Sequence, residues 1–222
     1  INTFRQHRYI ADLGNWYADL KDLTPRTYRS LEDVPANGGP FVVKGETNSM
    51  RRLWKTHMFA EDKRAAVQVA CRLMEDSIIG QQHIYVRDYV PLETFGVGLD
   101  GVPISREYRF FILDGHILSG AFYWSNHVDW LQESGVKIPC ATEVPSEFLC
   151  RVRDAVGDSV RFYVVDVAKT ASGEWIVIEL NDGQMSGLSE NDPETLYKAL
   201  LEGLRQRPPQ ATALRPGGGT AR

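Results

Sequence analysis

Residues 162–188 read FYVVDVAKTASGEWIVIELNDGQMSGL, in which two apolar runs are joined by a short polar turn and followed by a glycine-rich polar segment. The pair Ser172-Gly173 between two runs rich in β-branched residues predicts a hairpin turn. If these two residues form the turn, Asp166 lies opposite Glu179, and Asn181 projects from the same face as Glu179. The opposite face carries four apolar residues that can pack into a core, namely Val165, Val167, Ile178 and Leu180.

The three oxygen-bearing side chains on one face of this hairpin predict a metal site. Two carboxylates directly opposite each other repel, and a cation between them removes the repulsion. Asp, Glu and Asn oxygens suit a hard cation, and Mg²⁺ typically takes one or two carboxylates together with substrate phosphates. We therefore expect Asp166, Glu179 and Asn181 to hold Mg²⁺. The alternative is a solvated sheet face whose acidic residues only provide solubility, and a longer turn would shift the pairing.

Composition is that of an ordinary globular protein. The 222 residues, 43% of them hydrophobic, allow one large domain or two small ones with a substantial core. The formal net charge of −4 gives no general attraction to nucleic acids or anionic membranes. Three cysteines without CxxC spacing predict neither a disulfide framework nor a zinc site. With no signal peptide and no apolar run near the ~18 residues of a membrane helix, we expect a cytoplasmic protein without a membrane partner.

Periodic apolar patterns predict the remaining elements. Helices are expected over residues 10–23, 61–74, 145–156 and 192–205, and strands over 41–45, 83–90, 106–113 and 116–124. Residues 96–101 are expected to form a glycine-rich loop and residues 125–140 to be irregular. The Pro-, Gly- and Arg-rich residues 207–222 are expected to form a disordered tail.

Several charged residues lie within or beside apolar runs that are typical of buried strands. Lys44 lies near the end of an apolar strand, and Arg87 interrupts another apolar run. Glu107 and Arg109 share one face of their strand and either pair with strand neighbours on an exposed face or belong to a functional site. The polar stretch 46–52 is interpreted either as a loop over phosphates or as an ordinary basic surface loop.

The order of these residues resembles an ATP-grasp domain. A strand with Lys44, a strand with Arg87, the Glu107-x-Arg109 strand and the final motif IVIELNDGQMSGL look like the divergent clade named for two arginines and one lysine. That clade includes a eukaryotic assembly chaperone for a translation initiation factor and phage and bacterial members. The resemblance implies an α+β fold of two α+β subdomains whose antiparallel sheets sandwich the nucleotide. It implies a small subdomain over 41–90, a large subdomain with the metal-binding hairpin over 91–206, an N-terminal helical segment over 1–40 that is a remnant of a larger domain, and a tail over 207–222.

The same resemblance implies a role for each matching residue. Lys44 would contact the α- and β-phosphates of ATP, and Arg109 would lie near the γ-phosphate, so these two are the expected catalytic residues. Arg87 would be the first arginine of the clade, the backbone of residues 88–90 would bracket adenine, and Glu93 would lie near the ribose. The expected nucleotide-binding residues are therefore Lys44, Arg87, Asp88, Tyr89, Val90, Glu93, Glu107 and Arg109. Asp166, Glu179 and Asn181 would hold Mg²⁺, in agreement with the interpretation of the hairpin.

The leading hypothesis is an ATP- and Mg²⁺-dependent ligase that joins a carboxylate to an amine or related nucleophile through an acylphosphate. Its partners would be ATP and carboxylate and amine substrates of open identity, with peptides or proteins among the candidates. The alternative is an ATP-binding assembly factor or chaperone that docks a protein through aromatic residues at 122–124 and Trp130. A nucleic-acid enzyme has the least support, namely the Arg51-Arg52-Lys55 patch and the basic tail.

Overall fold

The computed structural model describes residues 1–206, except for the side chain of Leu99, and this part of the chain contains seven α-helices and ten β-strands. The helices are α1 (Phe4–Ala11), α2 (Leu13–Leu20), α3 (Trp54–His57), α4 (Lys63–Met74), α5 (Val128–Glu133), α6 (Ser146–Val156) and α7 (Pro193–Gln206). The strands are β1 (Thr27–Tyr28), β2 (Phe41–Gly45), β3 (Phe59–Ala60), β4 (Ile84–Asp88), β5 (Thr94–Val97), β6 (Pro103–Ser105), β7 (Glu107–Leu113), β8 (His116–Phe122), β9 (Phe162–Lys169) and β10 (Trp175–Asp182). The expected tail over 207–222 lies outside the described residues.

Two four-stranded sheets form the framework of the fold. The first sheet has the strand order β1-β4-β2-β3, and the second has the order β10-β9-β7-β8. Strands β5 and β6 form a separate two-stranded hairpin. Neighbouring strands pair in antiparallel fashion throughout these sheets. The expected α+β fold with two antiparallel sheets is confirmed.

Each sheet buries one face against helices. Helix α4 begins after Asp62, whose side chain accepts a hydrogen bond from the Ala65 amide at 2.7 Å, and it packs on the first sheet. Helices α2 and α6 pack on one face of the second sheet in the largest core, and α7 contacts the other face through Leu196. Because each fully buried aliphatic or aromatic side chain contributes about 1.5–3 kcal/mol, these cores fix both sheets firmly.

Residues 1–40 divide between the two sheets. The predicted single helix over 10–23 is wrong, because the chain breaks at Asp12 into α1 and α2. The Asp12 backbone is extended, and its carboxylate accepts hydrogen bonds from the Gly14 amide at 2.8 Å and the Tyr85 hydroxyl at 2.9 Å, so it caps α2. Both helices lie against the second sheet, while Thr27–Tyr28 joins the edge of the first.

Two segments are more ordered than the sequence predicts. The glycine-rich stretch expected as a loop contributes to the hairpin β5–β6, and the stretch 125–140 contains the short helix α5. Both elements are short, so an apolar pattern repeats too few times within them to be recognised in the sequence. Within residues 1–206, no helix is both long enough and apolar enough to cross a membrane.

Candidate active site

The β9–β10 hairpin has the predicted pairing of Asp166 with Glu179, but its turn and its register differ from those expected. Its turn has three residues between Thr170 and Glu174 instead of two, and Gly173 adopts a φ of +92° that favours glycine. This turn by itself would place Asp166 one residue out of register. A bulge between Val177 and Glu179 shifts the register back, so Asp166 pairs with Glu179 as expected.

The same bulge changes the direction of one side chain. Ile178, expected in the core, is only half-buried and lines a cleft, whereas Val177 is fully buried opposite Val167. The prediction for Ile178 is wrong because a bulged residue has no partner and the strict alternation of faces stops there. Beyond the bulge the alternation resumes, and the Asn181 side chain lies close enough to the Glu179 carboxylate to lower its pKa.

Asp166 is completely buried, and Arg109 on the neighbouring strand β7 matches its charge. The Arg109 Nε and Nη2 atoms donate to the two Asp166 carboxylate oxygens at 2.8 and 2.7 Å, which is a bidentate pair. The remaining nitrogen, Nη1, donates to the Gly187 carbonyl at 2.8 Å. Burial raises the pKa of Asp166, and the guanidinium of Arg109 opposes this shift. The charged form of Asp166 is therefore stabilised in the interior by its pairing with Arg109.

Lys44 and Glu179 form an ion pair between the two sheets. Lys44 lies on β2 of the first sheet, and its ammonium donates to the Glu179 carboxylate on β10 of the second. Both side chains are buried. Burial alone would raise the pKa of Glu179, but the charges of Lys44 and Arg51 outweigh it and lower that pKa to about 2. Glu179 is therefore a carboxylate at every physiological pH.

Arg87 makes a second connection between the sheets, directly at the bulge. Its Nη1 donates to the Ile178 carbonyl at 2.7 Å, and its Nη2 donates to the Thr24 hydroxyl at 2.6 Å. That hydroxyl donates in turn to the Val177 carbonyl at 2.8 Å. Burial lowers the pKa of Arg87 to about 10, although the charge of Glu179 opposes this shift. Arg87 thus holds the irregular backbone that carries Glu179.

Glu107 is buried with one carboxylate oxygen unsatisfied. Its Oε2 accepts a hydrogen bond from the Ser105 hydroxyl at 2.9 Å. Its Oε1 has no hydrogen-bond donor among the residues that the structure describes, and the nearest cation, the Arg51 guanidinium, is 3.5 Å away. The residue is 2% exposed, and burial raises its pKa. An unsatisfied buried oxygen of this kind is a candidate ligand position.

Arg51 is a site residue that the sequence analysis placed in the stretch 46–52 and in a basic patch, but to which it gave no role of its own. Its guanidinium lies 3.5 Å from Glu107 and 3.8 Å from Glu179, over the rings of Tyr123 and Trp124 at 4.7 and 5.7 Å. The guanidinium of Arg109 lies over the Tyr123 ring at 4.8 Å. The stretch 46–52 shows no periodic pattern, so no local signal predicted which of its residues points inward.

The aromatic surface expected for a protein partner is absent from this face of the described fold. Phe122 is 2% exposed and belongs to the core, while Tyr123 and Trp124 contact Arg51 in the cleft. Of that expected set, Trp130 is the exposed member, at 43%. The prediction of an aromatic docking surface at 122–124 is therefore wrong, because these side chains cover buried charges and the core.

A cleft between the two sheets contains about 790 Å³ of atom-free space, a volume that includes open solvent at its mouth. One part of its lining is apolar and the other part is charged. The apolar part comprises Val42, Trp54, Met58, Tyr89, Val90, Leu92, Val102, Ile176 and Ile178. The charged part comprises Lys44, Arg51, Arg87, Asp88, Glu107 and Glu179. A ligand with one flat apolar end and one highly charged end matches this division.

Four of the predicted site residues lie outside the cavity lining among the described residues, namely Glu93, Arg109, Asp166 and Asn181. Asp166 interacts electrostatically with Arg51, and the Arg109 guanidinium lies over the Tyr123 ring. Glu93 is engaged elsewhere, since its carboxylate accepts from Arg106 Nε at 2.7 Å and lies 3.4 Å from Lys169 Nζ.

The chemistry of the acidic residues fits a hard divalent cation. Asp166, Glu179 and Asn181 converge from adjacent strands, and the unsatisfied oxygen of Glu107 faces the same cations. Carboxylate and amide oxygens are the ligands that Mg²⁺ takes. Within residues 1–206, however, no three His, Cys, Asp or Glu side chains lie together as a ready metal site. Guanidinium and ammonium groups instead separate the carboxylates.

Solved structures with a similar fold include several ATP-grasp proteins. An ATP-grasp ligase, PsnB, matches with a TM-score of 0.55 and 15% identity, over 90% of this chain and 60% of that one. A RimK domain ATP-grasp protein from Sphaerobacter thermophilus matches with 0.51 and 17%, over 90% and 66%. An L-amino acid ligase from Bacillus licheniformis matches with 0.53 and 14%, over 92% and 49%. The chain thus spans about half to two thirds of the length of these proteins.

A comparison with curated proteins finds no match. The model of an ATP-grasp domain family, the third family of the clade named for two arginines and one lysine, matches residues 33–200. That range contains both sheets apart from the edge strand β1, and every cleft residue from Lys44 to Asn181 described above. The chain therefore belongs to this third family of the two-arginine-one-lysine clade of ATP-grasp domains.

Proposed function

We propose that the chain is an ATP- and Mg²⁺-dependent ligase that phosphorylates a carboxylate and couples it to an amine or related nucleophile. The observation that carries this proposal is the cleft itself. Lys44 and Arg87 of the first sheet and Arg51 of the segment between β2 and β3 line it, beside carboxylates of the second sheet that suit a divalent cation. A nucleoside triphosphate with its metal matches both kinds of group at once.

In this proposal the cations bind the phosphates. Lys44 contacts the α- and β-phosphates, and Arg109 lies nearest the γ-phosphate. Arg87 supports the bulge in β10 that carries Glu179. A guanidinium forms bidentate hydrogen bonds to phosphate oxygens, and a lysine acts as a mobile point charge. Because Lys44 and Arg109 are buried, at 6% and 8% exposure, their charges are already desolvated before a phosphate binds.

The adenine would occupy the apolar end of the cleft. The Asp88 and Tyr89 amides donate to the Arg26 and Pro40 carbonyls at 2.8 and 2.9 Å. Hydrogen bonds from this segment to adenine would therefore use its carbonyl oxygens and the Val90 amide. Glu93 would reach a ribose only by leaving Arg106, which makes it the weakest member of the proposed set.

Asp166, Glu179 and Asn181 would hold Mg²⁺, with Glu107 as a further oxygen donor. When bound, the metal would neutralise charge on the phosphate oxygens. Arg109 and Lys44 would stabilise the negative charge that spreads over the transferred phosphoryl group.

The proposed reaction has two steps. A carboxylate oxygen of the substrate attacks the γ-phosphorus, and the bond to ADP breaks, which gives an acylphosphate. The amine then attacks the acyl carbon, inorganic phosphate leaves with the bonding electrons, and the amine loses a proton to solvent. Binding both reactants in one cleft supplies proximity and orientation, which is the main contribution of a protein in phosphoryl transfer.

Nucleotide binding tests this proposal. Wild-type protein is expected to bind the non-hydrolysable analogue AMPPNP tightly only with Mg²⁺, as measured by calorimetry. The variants Asp166→Ala and Glu179→Ala should each lose most of the effect of Mg²⁺. Unchanged Mg²⁺ dependence in both variants would contradict the metal role. Asp154→Ala, which alters an exposed carboxylate far from the cleft lining, serves as the matched control.

Turnover tests the ligase reaction itself. The PsnB structure contains a precursor, Mg and ADP, and another similar structure is an amino acid ligase. Amino acids and peptides are therefore the first acceptors to assay for ADP release. Release of AMP instead, or binding without any release across a broad pool, would contradict the proposed reaction class.

The domain boundaries and the location are also part of the proposal. We assign residues 41–90 to a small subdomain and 91–206 to a large one, with 1–40 as an N-terminal segment. The three cysteines are free and exposed, which suits a reducing compartment such as the cytoplasm.

A further inference from the structure

Arg51 occupies the centre of the acidic part of the cleft. Its guanidinium bridges from Glu107 on β7 to Glu179 on β10, and Asp166 is close enough to interact with it electrostatically. Its side chain is 23% exposed, and the rings of Tyr123 and Trp124 support it. The sequence analysis expects a metal between Asp166 and Glu179; the Arg51 guanidinium lies 3.8 Å from the second of these carboxylates and interacts electrostatically with the first.

Arg51 contacts its carboxylates at longer distances than an arginine with a fixed structural role does. At 3.5 and 3.8 Å, its distances to the two carboxylates exceed hydrogen-bond length, whereas Arg109 binds Asp166 at 2.7 and 2.8 Å. Glu107 Oε1, which faces it, is buried and lacks any hydrogen bond within the described part of the chain. The cluster therefore contains a buried oxygen that Arg51 neutralises without satisfying.

Arg51 reaches the carboxylates from a different part of the fold. It comes from the segment between β2 and β3, whereas the carboxylates belong to β7, β9 and β10 of the second sheet. It also lines the cavity, whereas Arg109 and Asp166 are not among the described residues of the lining.

We propose that the Arg51 guanidinium holds the place of the divalent cation in the nucleotide-free protein and competes with that cation for Glu107 and Glu179. This inference rests on the proposed function, because it assigns the cation and phosphates to the same cleft. A metal ion that binds alone must displace the Arg51 guanidinium from two carboxylates, and the displaced guanidinium then has no new binding partner. Metal that arrives with a nucleotide supplies phosphate oxygens to which the released guanidinium can bind.

Competition of this kind makes metal and nucleotide binding cooperative. The factor by which the nucleotide tightens metal binding equals the factor by which the metal tightens nucleotide binding. Removing the charge of Arg51 should raise the affinity for metal alone and reduce this factor. A purely structural role for Arg51 would instead lower both affinities together.

The test measures Mn²⁺ binding by the electron paramagnetic resonance of the free ion, with and without AMPPNP. Wild-type protein is compared with Arg51→Gln, which removes the charge, and Arg51→Lys, which keeps it on a smaller head group. Arg52→Gln is the matched control, because Arg52 is exposed and neighbours Arg51 in the chain. Far-UV circular dichroism and thermal unfolding confirm that each variant is folded.

Arg51→Gln is expected to bind Mn²⁺ alone about tenfold more tightly than wild type and to show a smaller coupling factor. Arg51→Lys should fall between the two, and Arg52→Gln should match wild type. The inference is overturned if Arg51→Gln binds Mn²⁺ alone no more tightly than wild type does, and should that variant be unfolded, the same result for Arg51→Lys overturns it. Failure of wild type to bind Mn²⁺ with AMPPNP would instead refute the proposed function.

Discussion

The buried pair Arg109–Asp166 gives the sharpest prediction about stability. Asp166 is fully buried, and both of its carboxylate oxygens bond to one guanidinium at 2.7 and 2.8 Å. The substitution Asp166→Leu leaves Arg109 with the Gly187 carbonyl and the Tyr123 ring as its remaining contacts. An uncompensated buried charge of this kind costs roughly 3–5 kcal/mol.

The same reasoning predicts that the second substitution repairs the first. Arg109→Met alone should also destabilise the protein, whereas the double variant should be at least as stable as either single variant, since an apolar pair replaces the ionic one. In a domain of this size each kcal/mol shifts the melting temperature by roughly 2–4 °C. Each single variant should therefore melt roughly 6–20 °C below wild type.

Urea denaturation followed by far-UV circular dichroism measures these differences. Arg153→Ala is the control, because Arg153 pairs with Asp154 at 2.8 Å while their side chains are 44% and 68% exposed. An exposed pair contributes at most about 1 kcal/mol. The reasoning is refuted if the losses in the two single variants simply add in the double variant.

Three further predictions follow from individual contacts. Lys44→Met should weaken AMPPNP binding by about 10- to 100-fold in calorimetry, since a charged hydrogen bond is worth roughly 1.5–3 kcal/mol, and an unchanged affinity would remove Lys44 from the phosphate site. Val177→Ala should lower the free energy of unfolding more than Ile178→Ala does, because the bulge buries Val177 and leaves Ile178 at the cleft; the reverse order would mean that the bulge is absent. Burial raises the pKa of Glu107 above its unfolded value, so the protein loses stability as the pH rises from the unfolded pKa to the folded one; the cost is complete above the folded pKa and absent below the unfolded pKa. Glu107→Gln should therefore be more stable than wild type at pH 7, and denaturation curves at lower pH should show the difference shrinking rather than staying constant.

The alternation of side chains along strands made much of the site predictable. Period-two patterns correctly placed Glu107 and Arg109 on one face, and Asp166, Glu179 and Asn181 together. The hairpin prediction succeeded for an incomplete reason, because an unexpected three-residue turn and an unexpected bulge cancel each other. Register arguments from turn length therefore fail whenever a bulge follows the turn.

Contacts between distant segments were beyond the reach of local patterns. The Lys44–Glu179 pair joins residues 135 positions apart, and nothing in either strand specifies its partner. Arg51 lies in a stretch without periodicity, so its inward direction depends on the opposing sheet and the ring of Tyr123. Asp12 shows the same limit at short range, since an apolar helical pattern continues through a residue whose carboxylate instead caps a new helix.

A crystal structure with Mg²⁺ and AMPPNP tests the central claim most directly. We expect the adenine between Val42 and Ile178, the phosphates at Lys44 and Arg109, and the metal about 2.0–2.1 Å from oxygens of Asp166, Glu179 or Asn181. A nucleotide bound outside the cleft between the two sheets, or a metal held by none of these three residues, would contradict it.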